Sequence, residues 1–192
     1  MAKKLLKGFA NLGVIPVTEN TEASYKATGE ITKLPGAQTC APVDNRESYS
    51  INADDGVYDN GAVWKNSTLT ITVVETSLAN LSVITGSTID ESKEEMEEGV
   101  FDNAPEVALT FSALCADGGY RLYRYYAAKC TGYKVTHTTR GQSNDAQTYE
   151  LTFEASPRKI DGMVRGTKDV AKGTALTWLD TIPAMPAAES GV

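Results

Sequence analysis

The sequence has little of what most enzymes need. It contains one histidine, His137, and three widely spaced cysteines, Cys40, Cys115 and Cys130, in 192 residues. A single histidine does not complete a usual zinc ligand set, and the sequence has neither a Cys-x-x-Cys pair nor a Gly-x-Ser-x-Gly motif. An odd number of scattered cysteines is typical of reduced thiols. These shortages argue against a metal site, a disulfide framework and a catalytic triad.

Catalysis would have to depend on His137 together with Cys115 or Cys130, and nothing in their spacing demands such a pairing. His137 lies in a Thr-rich segment typical of an exposed strand face. We therefore predict that the protein is not an enzyme and that it needs no metal and no cofactor.

Long hydrophobic runs are also missing. No run approaches the ~18 residues that a membrane helix needs. The basic start, Lys3-Lys4-Leu5-Leu6-Lys7, is not followed by the apolar stretch of a signal peptide. The sequence also lacks the Gly-x-x-x-x-Gly-Lys pattern of a phosphate-binding loop. We expect no membrane span, no secretion leader and no bound nucleotide.

The net charge is −7, and it comes from one short window. Between Gly86 and Glu106 the only base is Lys93, and the rest of the chain carries as many bases as acids. The acids of the window are Asp90, Glu91, Glu94, Glu95, Glu97, Glu98, Asp102 and Glu106. This balance argues against a nucleic-acid-binding protein, because such proteins use Lys and Arg to displace counterions from phosphates.

What the sequence does have is alternation with a period of two. Leu69, Ile71 and Val73 alternate with threonines, and the segments 107–113 and 149–155 repeat the pattern. Such alternation predicts antiparallel strands with one buried and one solvent-exposed face.

A hairpin is predicted where Asp117-Gly118-Gly119 separates two strand-like segments, 106–115 and 120–131. A third strand at about 132–140 and a fourth at 147–156 continue the sheet. The predicted fold is therefore mainly β, a β-sandwich or half-barrel of antiparallel strands.

One short flanking helix is predicted at 77–85, with Leu78, Leu81 and Ile84 on one face. Thr76 is a suitable N-terminal cap, and Gly86 is a suitable C-terminal cap. Because two turns are unstable alone, we expect this helix to pack against the sheet.

Three segments do not fit regular elements. The segment 44–66 is polar and turn-rich with isolated aromatic residues, which predicts a long functional loop. The acidic insert at 86–105, with its densest run at 90–98, is expected to be a solvated loop or a flexible hairpin. The C-terminal tail at 183–192 is expected to be loose. With no internal repeat and no composition break, 1–192 is predicted to form one domain.

The order of these features resembles the major tail proteins, or tail tube proteins, of long-tailed bacteriophages and related tail-like particles. Lys7 to Thr18 looks like the first strand of that family, and Leu34-Pro35-Gly36-Ala37 looks like its next turn. The most specific similarity is Gln147-Thr148-Tyr149-Glu150-Leu151-Thr152 and its continuation Ser156-Pro157-Arg158, with Asp161-Gly162 close behind.

The resemblance implies a structural virion protein that is made in the bacterial cytoplasm and built into the tail. Six subunits would close a ring, and rings would stack into a tube. The lumen would house the tape measure protein, and double-stranded DNA would pass through without specific binding. The implied partners are further copies of the chain, the tape measure protein and the tail terminator protein.

Within this expectation, the segment 44–66 is predicted to make the contact between rings. Its candidate contact residues are Tyr49, Asp54, Tyr58, Asp59 and Trp64. The competing interpretation is that one or two of the three aromatic residues simply fold back onto their own subunit. The acidic run is expected on the exterior, where insertions are tolerated best. The alternative is a soluble β-sandwich module that binds a carbohydrate or a receptor, since exposed Tyr and Trp also suit that role.

Overall fold

The computed structural model describes residues 4–74, 76–135, 137 and 147–185, and most of them belong to one antiparallel sheet of nine strands. The strands are β1 (Leu6–Asn20), β2 (Tyr25–Ala27), β3 (Thr32–Lys33), β4 (Ala37–Ala53), β5 (Gly56–Val73), β6 (Thr88–Asp90), β7 (Glu95–Glu97), β8 (Glu106–Cys115), β9 (Tyr120–Val135), β10 (Tyr149–Ser156) and β11 (Arg165–Val170). The helices are α1 (Leu78–Thr85) and α2 (Thr177–Asp180). The mainly β prediction is confirmed.

Across the sheet the order is β2-β1-β8-β9-β10-β5-β4, with β3 also paired to β1 and β11 also paired to β9. β6 and β7 form a separate two-stranded hairpin. β10 and β11 follow the same side of β9, since Ser156 pairs with Ala127 and Arg165 pairs with Tyr125. None of the helices in the described ranges is long and apolar enough to cross a bilayer.

The predicted hairpin at 106–115 and 120–131 is confirmed as β8 and β9. The separate third strand at about 132–140 is wrong at its start, because β9 runs unbroken to Val135. A register shift beside Thr152 and Phe153 of β10 lets the long strand bend while it stays paired. Apart from His137, the remainder of that predicted strand lies outside the described residues.

Alternation predicts burial correctly in β5 and β10, where Leu69, Ile71, Leu151 and Phe153 are fully buried. In β8 the expected solvent face is also buried. Its small and polar residues Ala108, Thr110 and Ser112 have no exposed surface, because the sheet is covered on both sides.

The main core lies on the face of the sheet that carries α1. Leu81 and Ile84 of the helix pack there with residues of β1, β5, β8, β9 and β10. Two smaller clusters cover the other face. One joins Tyr25 and Ile182 to Ala108, and the other joins Leu179 of α2 to Leu122 and Val170. α2 was not predicted.

The predicted helix at 77–85 is confirmed as α1, with one change at its start. Ser77, not Thr76, is the N-cap, and its Oγ accepts a hydrogen bond from the Asn80 amide at 3.1 Å. Gly86 ends the helix in the left-handed region (φ 78°), and its N–H donates to Ser82 O at 2.8 Å. Leu78 is 40% exposed and lies off the buried face.

The long loop predicted at 44–66 is wrong as secondary structure. β4 and β5 stay paired along this whole segment up to a tight turn at Asp54 and Asp55, both of which have positive φ (47° and 65°). The strands lack apolar alternation because both faces of this part of the hairpin meet solvent. We call residues 44–66, the outer part of this hairpin, the arm.

The acidic insert contains the β6–β7 hairpin, in line with the expected solvated loop or hairpin. The tail is held at its start, because the Met185 backbone exchanges two hydrogen bonds with Tyr25, at 3.0 and 2.9 Å. The rest of the predicted loose tail, 186–192, lies outside the described residues.

Candidate assembly surface

The arm exposes many apolar side chains for a two-stranded hairpin. Tyr58 is the most exposed of them at 79%, and all of the following are more than 40% exposed: Tyr49, Ile51, Val57, Tyr58 and Val63. Tyr49, Ile51 and Val63 share one face of the arm, since their cross-strand partners are Gly61, Asp59 and Glu47. Exposed apolar groups on one face mark a contact surface more often than isolated ones do. The arm is therefore the candidate assembly surface.

Two of the predicted contact residues support each other on the arm. Tyr49 pairs with Gly61 across the hairpin, and its ring lies where a side chain at Gly61 would stand, 2.8 Å from the position of a Cβ atom. The Tyr49 hydroxyl donates to Asp59 Oδ2 at 3.3 Å. Glycine at position 61 thus lets the ring lie flat across the partner strand, and the ring holds one orientation.

Two further predicted contact residues lie near the arm's tip. Asp54 is one of the two turn residues, and Tyr58 lies at the register shift that follows the pair Ile51–Asp59. A bulge of this kind twists a hairpin and changes the direction of a side chain. Tyr58 is thereby presented to solvent beside Val57.

Trp64, the last predicted contact residue, belongs to the base of the arm and is half-buried. Its Nε1 donates to Ser67 Oγ at 3.3 Å, and Ser67 Oγ donates to Asp44 Oδ1 at 2.6 Å. Trp64 therefore contacts its own subunit, which is the competing interpretation for this residue.

Sequence reasoning missed the ion pair that fixes this base. Arg165 of β11 donates from both terminal nitrogens to the two oxygens of Asp44, at 3.2 and 3.0 Å. It also donates to the Tyr125 hydroxyl at 3.2 Å. One feature of the sequence points to this polar contact. Ser67 is a polar residue at a position of β5 for which the alternation predicts burial, and it is fully buried.

The electrostatics of this base favour the charged pair. The Ser67 hydroxyl and then the Arg165 guanidinium hold the pKa of the Asp44 carboxyl below its usual value. The hydrogen bond with Tyr125, together with Asp44, raises the pKa of Arg165. A bidentate pair fixes orientation as well as distance, so the arm leaves the sheet in a defined direction.

A second feature suited to assembly is the free edge of the sheet. Among the described strands, β4 pairs only with β5, and β4 is 17 residues long. Part of its other edge approaches β1 without pairing with it. The remainder of that edge offers backbone donors and acceptors to another chain, and natural proteins seldom leave a long strand edge open in a monomer.

The motif behind the resemblance closes the connection from β10 to β11. Arg158 donates from Nε and a terminal nitrogen to Asp161, at 3.1 and 2.6 Å, and its guanidinium lies 3.8 Å from the centre of the Tyr126 ring. Gly162 takes the left-handed conformation (φ 70°) that closes the turn. The motif therefore has a structural role.

A second arginine anchors α2. Arg124 is 5% exposed, lies 3.7 Å over the Trp178 ring, and donates to the carbonyl oxygens of Trp178 and Thr181. Burial lowers the pKa of Arg124. The two contacts hold the C-terminal segment against the sheet.

Of the residues considered for catalysis, the two cysteines are core residues and the histidine lies at the surface. Cys115 and Cys130 are buried, and burial raises the pKa of the Cys130 thiol. His137 is exposed, with Nδ1 3.2 Å from Gln147 Oε1. Within the described residues no group of three His, Cys, Asp or Glu side chains is placed to hold a metal ion. An open groove of about 400 Å³ lies between Tyr133 and the acidic insert.

No family model matches the sequence, and no curated protein is significantly similar to it. Among the solved structures that resemble this fold are two with low sequence identity to it. One is a cryo-EM structure of the anti-feeding prophage baseplate, six-fold symmetrised, with 8% identity and a TM-score of 0.42, covering 91% of this chain and 100% of that chain. The other is a crystal structure of Hcp protein, with 14% identity and a TM-score of 0.39, covering 85% and 100%.

Proposed function

We propose that this chain is a structural subunit of a tail tube, in which six copies close a ring and rings stack through the arm. The observation that carries the proposal is the arm itself. It is a paired hairpin clamped at its base and exposing apolar side chains to solvent. The ordered resemblance of the sequence to major tail proteins supports the same function.

The arm has the physical properties of a docking element. Fully burying one side chain such as Val57 or Ile51 is worth roughly 1.5–3 kcal/mol. The Asp44–Arg165 pair fixes the arm's direction before contact, which lowers the entropy lost on binding. In the proposed tube, Tyr49, Asp54, Tyr58 and Asp59 contact the adjacent ring, with Trp64 behind them as a support.

Ring closure follows from the open sheet edge. If the free edge of β4 meets a neighbouring subunit, its backbone groups gain partners, as they do in a closed barrel. Such a contact joins two different surfaces and closes by rotation, whereas stacking adds rings without a fixed limit. Six subunits to the ring is the number implied by the resemblance.

The remaining parts of the proposal concern the lumen and the ends of the tube. Double-stranded DNA passes without specific binding, and outside the window 86–106 the chain carries as many acids as bases, so it has no excess of positive charge to retain phosphates. The tape measure protein fills the lumen before DNA passes, and a terminator protein ends the tube. The protein acts in the virion tail after synthesis in the host cytoplasm, and its function needs no catalytic group.

The test is assembly of the purified protein, followed by sedimentation and negative-stain microscopy over a concentration series. Wild type should give rings or tubes. A Val57→Ser/Tyr58→Ser variant should keep the fold and lose stacking, because both side chains are exposed. Met163→Ser is the matched control, since Met163 is 55% exposed but lies outside the arm.

Two outcomes would contradict the proposal. Wild type could stay monomeric at every concentration, or the arm variant could stack as well as Met163→Ser does. A monomer that gives a saturable signal on a glycan array would favour the binding-module alternative.

A further inference from the structure

The acidic insert carries the two most exposed hydrophobic side chains of the described protein. Val100 is 93% exposed and Phe101 is 96% exposed. They lie at the tip of a tight turn, where the Gly99 amide donates to Asp102 Oδ2 at 2.8 Å and the Asp102 amide donates to Gly99 O at 3.1 Å. We call residues 88–102 the acidic finger.

The acidic finger, which carries the exposed Val100 and Phe101, is firmly attached to the rest of the protein. Met96 of the finger packs against the main core, and the Tyr133 hydroxyl donates to Glu98 Oε1 at 3.0 Å. At the start of the finger, Ser82 of α1 donates to Ser87 O at 2.7 Å. The finger is therefore anchored to both α1 and β9, and its apolar tip is held away from the core.

Most of the finger's negative charge is free to act on a partner. Asp90 is paired with Lys93 at 2.8 Å. Four glutamates are exposed and form no ion pair among the residues that the structure describes: Glu91, Glu94, Glu95 and Glu97. An apolar turn on an acidic finger fits an apolar surface that carries basic residues.

This chain carries such a surface around the turn between β8 and β9. Leu5 and Leu114 are exposed there by 67% and 36%. Leu6, 40% exposed, lies on the opposite face, because it pairs with Cys115 whereas Leu114 pairs with Gly8. Lys7 is exposed at the register shift between Leu6 and Gly8, and the Lys172 side chain packs against Gly118 of the turn. Asp117 of the same turn is paired with Lys4 at 3.6 Å. We call this end of the sheet, with Leu5, Lys7, Leu114 and Lys172, the basic end.

The finger and the basic end lie at opposite ends of the same strand. Tyr120, at the start of β9, pairs with Leu114 of the basic end, whereas Tyr133 binds the finger. At a rise of about 3.3 Å per residue, these two points of β9 are roughly 40 Å apart. One copy cannot bring its two surfaces together, but two copies in a row can.

We propose that the acidic finger of one copy docks on the basic end of the next copy, with Val100 and Phe101 against the exposed leucines. The contact joins two different surfaces, so it gives a head-to-tail arrangement that extends from copy to copy. Opposite charges around an apolar centre favour this register and oppose finger-to-finger contacts. The inference rests on the proposed self-association and adds a second contact to that of the arm.

The test is a charge exchange between the two surfaces. The finger variant is Glu95→Lys/Glu97→Lys, and the basic-end variant is Lys7→Glu/Lys172→Glu. Each alone places like charges against each other and should raise the protein concentration needed for assembly at least about tenfold. An equimolar mixture should restore assembly, because every contact between unlike copies is again between opposite charges.

Glu22→Lys/Glu30→Lys is the matched control, since it makes the same charge change at exposed positions outside both surfaces. It should assemble as wild type does. A Val100→Ser/Phe101→Ser variant should weaken assembly with no change in charge, and circular dichroism should show every variant folded.

The outcomes separate the two proposals. If wild type never assembles, the tube function fails and this contact fails with it. If wild type assembles but the charge variants do so equally well, only the finger contact is overturned. The same holds if the mixture fails to restore assembly, or if the control loses assembly as the finger variant does.

Discussion

Two arginine–aspartate pairs with nearly the same geometry should differ strongly in their effect on stability. Arg158 binds Asp161 through two hydrogen bonds, and Arg121 binds Asp169 in the same way, at 2.7 and 3.0 Å. The difference is burial. The Arg158 side chain is 10% exposed, whereas that of Arg121 is 30% exposed.

The perturbation is Arg158→Met, which keeps an unbranched chain but removes the guanidinium. Hydrogen bonds to a charged group contribute about 1.5–3 kcal/mol to the free energy of unfolding. Stacking on an aromatic ring adds roughly 0.5–2 kcal/mol, and Arg158 stacks on Tyr126. We expect a loss of about 3 kcal/mol, or roughly 6–12 °C in Tm for a chain of this size.

The assay is thermal and urea unfolding of Arg158→Met beside Arg121→Met. Because water and salt screen the outer pair, Arg121→Met should lower Tm by about 2 °C or less. Arg158→Lys should give an intermediate value, since lysine keeps the charge but not the fork. Equal losses for the two methionine variants would refute the argument that burial decides the strength of these pairs.

Three further predictions concern single residues. Gly86→Ala should lower the free energy of unfolding by about 2 kcal/mol or more in urea titrations, because φ is 78° and the new Cβ would lie 2.4 Å from Asn103 O; an unchanged midpoint would contradict this. Burial raises the pKa of Cys40 to about 12 from an ordinary value of 9.0, so its alkylation rate at pH 8 should rise by about 10³ on unfolding; similar rates in the native and unfolded protein would be the contrary result. The pKa of Asp44 is lowered in the folded state, so its stabilisation is complete above its unfolded pKa of about 4 and is lost as pH falls through the lower folded value. The difference in Tm between wild type and Asp44→Asn should therefore shrink from pH 7 to pH 3, and a constant difference would show that the charge of Asp44 does not matter.

The parts of the fold that the sequence predicts are those with one buried face. Leu69 and Ile71 in β5, and Leu151 and Phe153 in β10, alternate because only one side of each strand meets the main core. The period of two then identifies both the strand and the face of it that is buried. The helix α1 was found for a similar reason, from Leu81 and Ile84 between two capping residues.

The strands that the sequence did not predict correctly have either two solvent-exposed faces or two buried faces. The arm has no apolar alternation to reveal its strands, so its polar residues indicated a loop. In β8, Thr110 and Ser112 indicated a solvent face, but distant residues such as Tyr25 and Ile182 contribute to the cover on that side. Short-range patterns do not report such long-range contacts.

The sequence places the candidate contact residues in a loop, whereas the structure places them on a paired hairpin. Tyr49, Tyr58 and Trp64 do lie on one projecting element. The Asp44–Arg165 pair joins residues 121 positions apart, and no local pattern identifies such a partner. The role of Arg158 and Asp161 is also clear only once the Tyr126 ring is seen beneath the guanidinium.

The pairing of β1 with β8 has a consequence for synthesis on the ribosome. Phe9 pairs with Ala113, so the first strand emerges roughly 100 residues before its neighbour. At about 5–20 residues per second, that delay is of the order of 5–20 s. During this interval β1, which carries the buried residues Leu12 and Val14, has only the short strands β2 and β3 as partners. The nascent chain therefore exposes an apolar strand during translation.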